Sequence, residues 1–165
     1  MTQSILFVCT GNIFRSMVAE FAVRAQIGPQ AAYRVGSAGI IAKPQTIHPV
    51  IYTRLIQKGT DPSAHTQRRL TQELVHDADV IIAMSHTHRE CIQQQFGVTV
   101  PLFNEVAIGK DISILDLHEA LPDWEQDVER SHEYLETVID HIWNAAPSFI
   151  TRLPLFSTSV QRLIP

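Results

Sequence analysis

Cysteine is scarce in this chain, with two in 165 residues. That excludes a fold stapled by disulfides and suits a reducing compartment. Basic charge is not in excess either: 13 Lys and Arg face 17 Asp and Glu, for a net charge of −4. A sequence pI near 6.0 excludes a general affinity for nucleic acid or an anionic membrane surface. Long apolar runs are missing. The N-terminal region offers only four consecutive strongly apolar residues, Ile5 to Val8, with no charged segment ahead of them. Neither a signal peptide nor a spanning helix is expected, and the expected location is cytoplasmic. The eight histidines show no metal-ligand spacing, and His86 with His88 lacks partners, so no metal and no cofactor is expected. There are no internal repeats and no low-complexity segment.

What is present is 45% hydrophobic and 18% charged residues, enough for one well-buried domain and too little for two ordinary ones. Strand and helix patterns alternate. Strands are expected at 4–9, 33–37, 79–84 and 98–103, and helices at 16–27, 48–58, 71–77, 87–96 and 124–144. This order predicts an α/β fold, a single-domain open parallel four-stranded sheet with helices on both faces and the site at the carboxyl ends of the strands. The longest irregular stretch, 104–122, exceeds an ordinary connection, and loops of that length are usually functional.

The chemistry is concentrated in Cys9-Thr10-Gly11-Asn12-Ile13-Phe14-Arg15-Ser16, which follows the first apolar strand and runs directly into a helical pattern. A loop between a strand end and a helix N-terminus aims several backbone N–H groups at one point, where the helix dipole favours negative charge. Arg15 adds a bidentate fork for two phosphate oxygens. Cys9 at the base of such a loop lies in a positive field that favours its nucleophilic thiolate. The Ser16 hydroxyl is placed to donate to that sulfur. Gly11 lets the backbone approach an anion, and Asn12 tolerates a left-handed conformation.

These residues resemble the low-molecular-weight protein tyrosine phosphatases, whose members open with a strand and Cys-x-Gly-Asn-x-Cys-Arg-Ser-Pro, then Ala-Glu. Cys9, Gly11, Asn12, Arg15, Ser16, Ala19 and Glu20 stand in the matching places. The likeness continues through Gly36-Ser37-Ala38-Gly39, Gly59, His65, Arg68, Leu70-Thr71, Ala78 to Met84 and His88, over about residues 4 to 143. It implies the phosphotyrosine protein phosphatase I-like fold over 1–144, with 145–165 as a C-terminal extension. It also implies metal-independent hydrolysis of phosphate monoesters through a phosphocysteine, with a phosphotyrosine protein or small aryl phosphate as substrate. Two departures lie in the loop: Phe14 replaces the family's second cysteine and Met17 its proline. Cys9 therefore lacks the protective disulfide that many relatives form. Within the resemblance Ser37 supports the loop by hydrogen bonding Asn12, and His65 and Arg68 match residues behind it. Ile13, where a threonine is absent, favours phosphotyrosine over phosphoarginine.

The resemblance also requires an aspartate as general acid, normally in Asp-Pro before an aromatic and near the start of the last helix. Asp123, beside Trp124, is the first choice, with Asp116 as the fallback and Asp127 third; a helix cap is the competing reading for each. The family's entrance wall falls at 40–46, which carries no aromatic here. Lys43 is the candidate there, and Trp124 could supply an aromatic surface from the other side. The tail after Trp143 is expected to pack on the domain or on a second copy, making a homodimer possible. Cys91 lies in an amphipathic helical pattern and reads as core. Two alternatives stay open: an arsenate reductase on the same fold, for which Cys91 would be the only other thiol, and a non-catalytic phosphate or phosphopeptide reader.

Overall fold

The computed structural model describes residues 2–29 and 32–156. Three parallel strands, β1 (Gln3–Cys9), β2 (Tyr33–Gly39) and β3 (Val80–Ala83), pair in the order β2-β1-β3. β1 is central, and its apolar alternation divides the core in two. Ile5, Phe7 and Cys9 point to one face, while Leu6 and Val8 point to the other, as the two-residue period of a strand dictates. A strand covered on both faces reads as a continuous apolar run, which is what Ile5 to Val8 shows.

The fourth strand expected at 98–103 is not formed. Leu102 makes a single parallel bridge to Ala83, and the chain turns immediately into α5. The helices are α1 (Arg15–Ile27), α2 (Pro49–Gln57), α3 (Gln72–Asp77), α4 (His86–Phe96), α5 (Phe103–Ile108), α6 (Leu117–Ala120) and α7 (Val128–Arg152). Thus the stretch 104–122, expected to be irregular, holds most of α5 and all of α6. The last helix begins at Val128 rather than 124 because Asp127 caps it, its Oδ1 accepting from the Arg130 N–H at 3.0 Å. It then runs unbroken across 144–145 to Arg152.

Helices α1, α2, α5 and α7 cover the Ile5/Phe7/Cys9 face, and α3 and α4 cover the other. Phe149 and Leu153 of the C-terminal segment are fully buried in the first core, where Phe149 stacks on Phe103 with ring centroids 5.2 Å apart. The remainder of the expected extension, 157–165, lies outside the described residues. Among the described residues no helix is long and apolar enough to cross a membrane.

Candidate active site

Cys9 ends β1 and Arg15 begins α1, so the six-residue turn Thr10–Arg15 closes at the carboxyl edge of the central strand. The turn is held from behind by one side chain. Asn12 has φ of 53°, the only positive value for a non-glycine among the described residues. Its Oδ1 accepts from the Arg68 backbone N–H at 3.0 Å, which assigns both hydrogens of Nδ2 to Ser16 Oγ (3.0 Å) and Ser37 Oγ (2.8 Å). Ser37 in turn donates to Glu20, which pairs with Arg24 at 2.7 Å. The Asn12 carbonyl lies 2.7 Å from His65 Nε2. Gly39 makes the remaining close approach: a β-carbon there would stand 2.6 Å from the Thr10 carbonyl and 2.8 Å from the Asn12 nitrogen.

Ser16 Oγ already accepts from Asn12, so its own proton is available to Cys9 Sγ, 2.9 Å away; the alternative acceptor, the Ala38 carbonyl, is at 3.4 Å. Cys9 is almost completely buried. The amides of Gly11 to Phe14 donate to no other group among the described residues. They line the turn as an unfilled set of donors.

Arg15 is 1% exposed and is held by the segment between α5 and α6. Its two terminal nitrogens reach the Ile114 carbonyl and an Asp116 carboxylate oxygen, each at 2.9 Å, with Glu119 at 3.6 Å. Its Nε is buried without a hydrogen-bond partner. A buried guanidinium with one N–H unsatisfied is costly, and an oxyanion in the cradle would satisfy it.

The segment carrying Asp116 is itself pinned. Ile114 N–H donates to the Met84 carbonyl at 2.9 Å, Asn104 Nδ2 to the Ile112 carbonyl at 2.9 Å and Tyr134 Oη to the Leu115 carbonyl at 2.7 Å. Asp116 caps α6 in a capping box, and Glu119 accepts from the Asp116 N–H at 2.7 Å. The structure therefore brings Asp116, the fallback from the sequence, to the cradle. Asp123 points elsewhere: its carboxylate is 55% exposed, with Arg130 3.9 Å away. Asp127 is occupied as the α7 cap.

Thr10 links the turn to α4. Its Oγ1 lies 2.9 Å from His88 Nε2 and accepts from Arg15 at 3.4 Å, while His88 Nδ1 lies 3.0 Å from Ser85 Oγ. Burial, reinforced by the Arg15 charge, pushes the His88 imidazole down to about 3. Lys43 and Trp124, the candidates for the substrate rim, are both exposed, and the Gln45 amide lies 3.4 Å from where a β-carbon at Gly11 would stand. Sequence reasoning did not single out Glu119, Ser85, Tyr134 or Gln45. The Asp-x-x-Glu spacing of 116 and 119 was the available signal for the first. Cys91 contacts Gln95, whose amide lies 3.0 Å from the sulfur. Among the described residues no three His, Cys, Asp or Glu side chains converge as metal ligands.

The family model described as low molecular weight phosphotyrosine protein phosphatase matches residues 4–155. A protein-arginine-phosphatase from Bacillus subtilis is 40% identical over 100 residues, 58% of this chain and 64% of that protein. A low molecular weight protein-tyrosine-phosphatase from Acinetobacter johnsonii is 32% identical over 56% of this chain and 63% of its own length. The matched region thus spans a little under two thirds of these curated relatives. Among solved structures, a YwlE mutant from Bacillus subtilis superimposes with a TM-score of 0.77 and 28% identity, covering 93% of this chain and 99% of that one.

Proposed function

Because the chain belongs to the low molecular weight phosphotyrosine protein phosphatase family, we propose that it hydrolyses phosphorylated protein side chains by double displacement on Cys9. The observation that carries this reading is the convergence of Cys9, the unpaired turn amides, a buried Arg15 with a free Nε and the Asp116 carboxylate. The Cys9 thiolate attacks phosphorus in line, breaking the bond to the leaving oxygen. The turn amides and Arg15 hold the equatorial oxygens, where charge accumulates. Asp116 gives its proton to the leaving oxygen. Water then attacks the phosphocysteine with Asp116 as base, which returns the thiolate and releases inorganic phosphate. Ser16 steadies the sulfur in both steps.

Asp116 is the acid in this proposal because it alone among the three candidate aspartates touches Arg15. Phosphotyrosine is the substrate in the first reading, supported by Ile13 standing where a threonine is absent. A phosphoarginine side chain is the second reading, supported by the likeness to the arginine phosphatase and by the absence of an aromatic from 40–46. An arsenate reductase would need a relay of thiols, and Cys91 is the only other cysteine.

The test is turnover of p-nitrophenyl phosphate, then of phosphotyrosine and phosphoarginine peptides. Wild type should be active, Cys9→Ser inactive, Asp116→Asn slowed about 100-fold or more, and Asp123→Asn close to wild type. A strongly impaired Asp123→Asn with a normal Asp116→Asn would reverse the acid assignment. Phosphopeptide binding by an inert wild type would make the protein a reader.

A further inference from the structure

One buried polar group next to the cradle has no part in the chemistry above. His88 sits in the first turn of α4, is 2% exposed, and bridges the α4 cap residue Ser85 to Thr10 on the phosphate turn. We propose that His88 is a positioning residue: a buried imidazole that fixes the Thr10 hydroxyl, which in turn orients the Arg15 guanidinium for phosphate. This rests on the phosphatase reading and adds a residue to its machinery.

One of the two neutral tautomers directs the Thr10 hydroxyl proton away from Arg15. His88 is neutral over the physiological range, so the ring has one N–H to place. With it on Nδ1, the ring donates to Ser85 Oγ at 3.0 Å and Nε2 accepts the Thr10 hydroxyl proton at 2.9 Å. Thr10 Oγ1 then turns a lone pair to Arg15, which donates to it at 3.4 Å. The opposite tautomer would leave the Thr10 proton to compete for the space facing Arg15. A protonated ring would remove the acceptor and set a second cation beside the guanidinium.

Position is the reason this matters. Arg15 is held on one side by Ile114, Asp116 and Glu119, all on the acid-bearing segment. Among the described residues, Thr10 is its one side-chain hydrogen-bond contact on the nucleophile's own turn. The nitrogen that meets Asp116 is the one that reaches Thr10 Oγ1, so when phosphate replaces Asp116 the Thr10 oxygen still registers that nitrogen against the cradle, while the other terminal nitrogen stays on the Ile114 carbonyl. Placement within a fraction of an ångström is what a preorganised anion clamp requires.

The experiment is a double-mutant cycle over His88 and Thr10, read by inorganic phosphate affinity in calorimetry and by kcat and KM for p-nitrophenyl phosphate. His88→Leu and Thr10→Val should each weaken phosphate binding about tenfold, the low end for a hydrogen bond to a charged group. The double variant should be no weaker than the worse single one, because both remove the same link. His88→Gln, which keeps a polar atom toward Thr10, should recover part of the loss. Losses that multiply in the double variant would overturn the proposal, as would wild-type phosphate affinity in folded His88→Leu. Should His88→Leu not fold, His88→Gln takes its place in the cycle under the same two criteria. A wild type that neither binds phosphate nor turns over would instead remove the phosphatase reading, and the proposal with it.

Discussion

Every polar atom of the Asn12 side chain is engaged, with Arg68 on the oxygen and Ser16 and Ser37 on the nitrogen. The residue also accepts a left-handed backbone, which Asn tolerates better than most. Replacing it with alanine leaves the Arg68 N–H and one lone pair on each of the Ser16 and Ser37 hydroxyls without a partner, and adds backbone strain. Asn12→Ala should therefore lower stability by about 3 kcal/mol, seen as a melting temperature roughly 6–12 °C lower. A loss under about 1 kcal/mol would mean that water fills the gap and that the network does not set the turn. The residues of this turn were legible because strand, glycine, asparagine and arginine fall in one continuous string. Asp116 carries no such local mark. It comes to Arg15 from 101 positions away, and its neighbours, Leu117 and His118, lack the proline and aromatic that mark the family's acid. Asp123 carries the aromatic instead, so the local sequence points to it. Local sequence signals chemistry only where the site itself is local.

At the scale of elements, the long helices and the strands that pair along their length were readable from periodicity. The short elements were not. Residues 98–103 have strand composition, yet only the Pro101 carbonyl and Leu102 meet the sheet edge at Ala83, because the chain must turn into α5 for Phe103 to enter the core. Four-residue α6 has too few positions to show a period, and its capping box is the one local sign of it. Helix α7 runs past its expected end because Ala145, Ala146 and Phe149 continue its buried stripe. Phe149 lies with Phe7 and Phe103 in a three-ring cluster, its centroid 5.3 Å and 5.2 Å from theirs. Phe149→Ala should cost about 3–5 kcal/mol through lost burial and the cavity it leaves, measured by urea unfolding. Deletion of 147–165 should cost at least as much. A truncated protein with an unchanged melting temperature would show that this end of α7 is dispensable to the core.

At the scale of the whole molecule, the folded state holds several histidines neutral. Burial lowers His141 and, with help from His132, His48; His88 goes down to about 3 from an ordinary 6.5. The unfolded chain protonates these rings at a higher pH than the fold does, so on acidification it binds more protons than the folded state. Stability must then decline with acidification, by about 1.4 kcal/mol per pH unit for His88 alone between roughly pH 6 and 3.5. The carboxylates work in a lower window. Asp140, held below the usual range by Arg54 and Lys58, contributes stability that is present above its unfolded value near 3.8 and is lost as pH falls through its folded value. The two sets separate between pH 4.5 and 6.5. Urea unfolding across that interval should give a falling midpoint for wild type and a visibly flatter fall for His88→Gln, whose side chain does not titrate. Parallel slopes would mean that His88 gains its proton without leaving its pocket. The fold would then tolerate a protonated His88 while the Nε2 acceptor for Thr10 is lost, and the acid sensitivity of the fold would have to come from His48 and His141.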